Sequence, residues 1–146
     1  MWKVKSLLRR LAGLVYDLLL LLAVLFVATA LILPLNGGHA FGSGQWAYPV
    51  YLGLVSFGFV GWFWTHGGQT LGMKAWRLRL RTADGMAVGW ARAALRFGSA
   101  LLSFACFGLG YWWIMVDPDG LAWHDRLSGT RIEFEPSSSR GLSSRT

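Results

Sequence analysis

From Leu11 to Leu35 the chain carries a single charged residue, Asp17, among otherwise apolar or small side chains. At about 1.5 Å per residue, a helix of that length crosses the ~30 Å hydrocarbon core of a bilayer. Lipid offers no partner to backbone N–H and C=O groups, so such a run can only be a helix satisfied within itself. Pro34 and Asn36-Gly37-Gly38 mark its end. The preceding MWKVKSLLRR has the basic character of a secretory signal peptide's first region. The apolar run is too long for a signal core, contains Asp17 and ends without a small-x-small cleavage site. It therefore reads as a retained membrane anchor.

Composition agrees with that reading. Hydrophobic residues make up 54% of the 146 and charged residues only 14%, against about 25% charged in soluble domains. One membrane domain over 1–135 fits this length. The net charge of +7 raises nucleic-acid binding as a class. The basic residues flank apolar runs and do not cluster on a soluble fold, so membrane orientation accounts for them better, and no nucleic-acid partner is expected. Cys106, the one cysteine, excludes an intrachain disulfide and reads as a packing residue.

A second span is expected from about 46 to 65. Pro49 sits in its first turn, and Tyr48, Tyr51, Trp62 and Trp64 lie near its ends, where aromatic rings favour the headgroup level. The connection 66–92 is basic, with Lys74, Arg77, Arg79, Arg81 and Arg92 against Asp84 alone. Its WRLRLR alternates apolar and basic residues, and Asp84-Gly85 is a turn signal, which predicts a β-hairpin over about 76–82 and 86–88. Lys74, Arg77, Arg79 and Arg81 would then face anionic lipid headgroups or an acidic partner. A third apolar segment runs from about 93 to 116 and ends at Asp117-Pro118-Asp119-Gly120. TRIEFE is a further strand candidate, and 136–146 reads as a disordered polar tail.

Charge asymmetry orients the chain. Lys3, Lys5, Arg9 and Arg10 precede the first span, the 36–45 loop has no Lys or Arg, and 66–92 is basic. The positive-inside rule places the N-terminus and 66–92 in the cytoplasm. A third segment that crossed fully would carry TRIEFE to the opposite side. A segment broken at Gly108-Leu109-Gly110 would bring it back, and charge favours the return. The expected fold is an all-α transmembrane bundle of two full spans and a broken or re-entrant third segment, with a small cytoplasmic hairpin.

An aspartate within a span is costly, so Asp17 should face protein and find a partner. Arg10 shares its helix face, seven residues away, but lies roughly 10 Å along the axis. Arg92 and Arg96, four apart at the start of the third segment, are the best candidates. The result is either a structural ion pair or a proton or cation site. His124-Asp125 has no nucleophile beside it, and His39, His66 and His124 sit on separate connections without metal spacing. No catalytic group, metal or cofactor is expected, and Gly108 and Gly110 lack the context of a dinucleotide fingerprint.

RRLAGLVYD, GQTLGMKAWRLRLRTADG and DPDGLAWHDRLSGTRI, in that order over about 9–134, resemble the RDD family of bacterial membrane proteins. The arginine and two aspartates that name the family map to Arg10, Asp17 and Asp125. Met73 departs from the family's usual passage from Gly directly to a basic residue. The resemblance implies a multi-pass inner-membrane protein with a role in transport of unidentified ligands, cation/proton exchange being suspected in some relatives. It also implies that Asp125 belongs with Arg10. Two or three spans cannot enclose a pathway alone, so a homo-oligomer or membrane partner is implied. The alternative is an accessory or scaffold protein that binds anionic lipid or a partner.

Overall fold

The computed structural model describes residues 2–136. Helix α1 (Trp2–Ile32) is continuous through the basic start and the apolar run. Its 31 residues span about 46 Å, more than a bilayer's hydrocarbon requires. It closes in a 3-10 turn over Leu33–Asn36, with Pro34 inside and Gly37 in the left-handed conformation that ends the helix. Helix α2 (Ala47–Thr65) returns alongside it, with Tyr51 donating its hydroxyl to the Ala28 carbonyl. Leu19, Leu22, Phe26 and Leu31 of α1, and Val50 and Leu54 of α2, are exposed. Helices α1 and α2 are long and apolar enough to cross a membrane.

The connection after α2 folds into a short helix, α3 (Leu71–Ala75), and a strand, β1 (Leu78–Thr82). The hairpin expected between 76–82 and 86–88 does not form. β1 pairs antiparallel with β2 (Thr130–Phe134), with Leu80 opposite Ile132. The Asp84-Gly85 turn does form, and Thr82 N–H donates to the Met86 carbonyl. The ladder ends there because the chain departs for the next helix at Trp90, while TRIEF brings a full-length strand to the same edge. Alternation sorts β1: Leu78, Leu80 and Thr82 are buried while Arg79 and Arg81 face outward. Leu78 and Leu80 join Met73, Val88 and Ala93 in a core that Phe57, Trp64 and Ile132 cover.

The third apolar segment is two helices, α4 (Trp90–Ala105) and α5 (Leu109–Val116), bent by 96° across the break between them. The break covers residues 106–108 and so includes Gly108, the first of the expected glycines. Phe107 and Gly108 both take positive φ, +56° and +74°, and Gly108 N–H donates back to the Ser103 carbonyl. Left-handed geometry is easy for glycine and unfavourable for phenylalanine. Gly110 has a separate task, because a β-carbon there would collide with Ser103. Among the described residues, the bent pair counted as one span gives three candidate spans, and otherwise there are two. Helix α6 (Trp123–Ser128) then leads into β2. Since β2 pairs with β1, the chain leaves α5 at the end of the molecule from which it entered α4. The polar tail expected over 136–146 lies, beyond Pro136, outside the described residues.

Candidate functional site

Two charged centres sit at the end where α1, α3, α4, α6 and the strands converge. The first is built on Asp125, fully buried on α6. One of its carboxylate oxygens accepts from Arg10 Nη1 of α1 at 2.7 Å and from the Ala122 backbone N–H at 3.1 Å. The other accepts from Arg96 Nη1 of α4 at 2.5 Å. Arg96 also donates to Thr130 Oγ1 at 2.9 Å and lies 5.3 Å over the Trp64 ring. Arg10 reaches the Ile132 carbonyl. A single carboxylate thus joins three helices and the sheet. Burial would raise the Asp125 pKa, but the Arg96 and Arg10 guanidiniums overcome that and hold it at about 2.

His124 is buried beside this centre, with its ring 4.7 Å from that of Tyr111. Burial and the nearby Arg96 charge lower its pKa to about 3, so the imidazole is neutral. Its Nδ1 has no hydrogen-bond partner. A neutral imidazole limits the repulsion that two guanidiniums would otherwise impose.

The second centre is Asp17. The expectation that Arg92 or Arg96 would hold it is overturned. Its Oδ1 accepts from the Gly72 backbone N–H at 2.8 Å, and its Oδ2 accepts from the Thr70 hydroxyl. Thr70 is the N-cap of α3 and in turn accepts from Met73 N–H. Asp17 therefore binds the exposed donors at the start of α3, where a carboxylate is favoured. Arg96 is already taken by Asp125. Arg92 is exposed and donates to the Gly129 carbonyl at 3.0 Å.

The GQTLG stretch, which by itself reads only as a tight turn, makes this possible. Gly68 takes φ +71° against the Leu80 carbonyl, and Gln69 ties to the Leu78 carbonyl at 2.8 Å. A β-carbon on Gly72 would land on the Gly13 carbonyl oxygen and the Asp17 carboxylate, so the backbones of α3 and α1 touch. Sequence reasoning missed Thr70 and Gly72 as partners because it sought an opposite charge. The available signal was the capping residue Thr70 ahead of a short helix.

The two centres share a cavity of about 110 Å³. Arg10, Asp17, Thr70, Arg96 and Tyr111 supply its polar groups, and Leu14, Leu18 and Trp64 part of its apolar wall. The acidic groups of both centres balance the two arginines. Of the four, Asp17 is the partly exposed one, whereas Arg10, Arg96 and Asp125 are sealed.

The proposed lipid-facing residues fare differently from one another. Lys74 and Arg77 are exposed. Arg79 pairs with Glu135, and Arg81 lies 3.8 Å from Glu133, which also binds Arg131. β2 thus neutralises part of the face on which β1 presents its arginines.

Residues 4–129 match the family model described as RDD family. The chain belongs to the RDD family. No curated protein and no solved structure matches it. In this RDD protein, Arg10 and Asp125 meet in the sealed centre and Asp17 stands in the neighbouring one. Family membership and the apolar helices together point to a membrane protein.

Proposed function

We propose that this RDD protein works in transport across the bacterial inner membrane, as one subunit of an assembly, with Asp17 as the group that takes up a proton or cation. The observation that carries this reading is the position of Asp17, a half-buried carboxylate within an apolar helix, lining a cavity beside two arginines. Intramembrane carboxylates facing a cavity mark ion and proton pathways. Two spans and a bent segment do not surround a pathway, and the exposed apolar faces of α1 and α2 leave room for further subunits. The basic N-terminal end and the basic 66–92 connection favour a cytoplasmic placement for that end of the molecule. The β1–β2 pairing supports a re-entrant α4–α5 over a full crossing.

The test is flux in proteoliposomes driven by a pH or cation gradient. Asp17→Asn abolishes the flux and Asp17→Glu retains part of it. Flux unchanged in Asp17→Asn would sink the role assigned to Asp17. The hydrogen bonds to Thr70 and Gly72 favour a second reading, an accessory protein in which Asp17 only pins α3 to α1. In that case Asp17→Asn lowers stability and abundance, and the wild-type chain carries no flux.

A further inference from the structure

A second cavity lies outside both charged centres. It is a groove of about 270 Å³ between the first turns of α1 and the sheet. Trp2, Lys5, Ser6 and Arg9 line it at helical spacing, so one face of α1 forms the wall. Phe134 forms the opposite side, and Arg10 lies beneath, with its guanidinium committed to Asp125. Among the described residues, no carboxylate lines the groove.

Strand alternation explains the missing acid. Ile132 and Phe134 point toward α1, while Glu133 and Glu135 point away and pair with Arg79, Arg81 and Arg131. Among the described residues, neither Lys5 nor Arg9 has a carboxylate within 4.0 Å. The Arg9 guanidinium lies 4.5 Å over the Phe134 ring. Such stacking fixes the plane of the fork and leaves its N–H edge free for an oxyanion. Lys5 adds a point charge one turn away, and the Ser6 hydroxyl adds a donor.

We propose that this groove binds a phosphate-bearing oxyanion, supplied either by an anionic phospholipid headgroup or by a soluble phosphate. Arg9 and Lys5 make the charged contacts, and Ser6 donates to a remaining oxygen. The groove precedes the apolar run that starts at Leu11 by one to two turns, and Trp2 beside it is exposed. That is the headgroup level for a helix crossing the membrane, and it favours the lipid as the source. The proposal stands apart from the transport reading, because it uses neither Asp17 nor the cavity around it.

The full chain is titrated in neutral detergent with phosphatidylglycerol, and separately with phosphatidylcholine, and the bound lipid is counted by native mass spectrometry. A third arm follows the thermal melting of the same sample with inorganic phosphate. Wild-type protein retains phosphatidylglycerol and not phosphatidylcholine. Lys5→Gln/Arg9→Gln weakens that retention about thirtyfold, and Lys5→Gln alone, at an exposed side chain, about fivefold. The single variant decides if the double variant does not fold. Arg92→Gln, which removes an exposed cation that holds only the Gly129 carbonyl, leaves retention unchanged. Stabilisation by inorganic phosphate that is lost in Lys5→Gln, without lipid retention, identifies a soluble anion as the source. Equal binding by wild type and Lys5→Gln in every arm overturns the proposal, and so does an equal loss in Arg92→Gln.

Discussion

Asp125 satisfies two arginines whose helices are far apart in sequence, and removing Arg96 leaves one buried carboxylate oxygen without its donor. Breaking a buried ion pair on one side costs about 3–5 kcal/mol. Arg96→Met should therefore lower the melting temperature in detergent far more than Arg92→Met, since Arg92 is exposed and holds only a carbonyl. Equal melting temperatures for the two variants would contradict this account. His124 gives the same centre a pH dependence. Its folded pKa of about 3 lies below its ordinary value of 6.5, so the unfolded chain binds the proton first as pH falls. The stability it contributes is fully present above pH 6.5 and is lost as pH falls toward 3. Between pH 7 and 5 the loss is about 2 kcal/mol. Asp125, held at about 2 against an ordinary 3.8, adds a loss in the same direction at lower pH. A melting temperature independent of pH between 7 and 5, or a slope that persists in His124→Gln, would remove His124 from this role. Part of this centre was legible: the family resemblance paired Arg10 with Asp125, whereas Arg96 was expected at Asp17 and His124 was given no part in it. The partner of Asp17 was not, because backbone N–H groups at a helix start carry no mark in a charge count.

At the level of elements, α3 is the piece whose placement is most exacting. It lies against α1 with Gly72 over Gly13, and the two glycines are not equivalent. A β-carbon on Gly13 would meet Gly72 atoms at 3.5 Å, an ordinary contact, whereas one on Gly72 would overlap the Gly13 carbonyl and the Asp17 carboxylate. Gly72→Ala should displace α3 and destabilise the protein by about 1–3 kcal/mol, and Gly13→Ala should be nearly neutral. Matching thermal denaturation for the two variants would show that α3 does not pack this way. The hairpin forecast failed at the same scale. Alternation identified β1, and Asp84-Gly85 identified a turn, but pairing is a long-range choice. Residues 86–88 lie too close to the start of α4 to complete a ladder, and TRIEF had the length to do so. Helix breaking was partly legible, since the glycines of FGLG drew attention to the right turn. The left-handed Phe107 could not be foreseen from residue type.

For the molecule as a whole, the decisive link is β1 with β2. The chain between them includes α4 and α5, and in the re-entrant arrangement proposed above that segment begins and ends on one side of the membrane. Reporters fused at the N-terminus and after Thr146 should be active in the same compartment, and one in the 36–45 loop in the other. A C-terminal reporter that shares the compartment of the 36–45 loop would exclude the re-entrant arrangement. The bond between Arg10 and Asp125 also sets an order in time. These residues are 115 positions apart, and synthesis runs at about 5–20 residues per second. During that interval α1 has been made while its acid has not. Arg96 enters the same wait later and ends it at the same moment. A nascent chain of this protein is therefore electrostatically unfinished until α6 is made, and the last helix completes a site that the first helix opened.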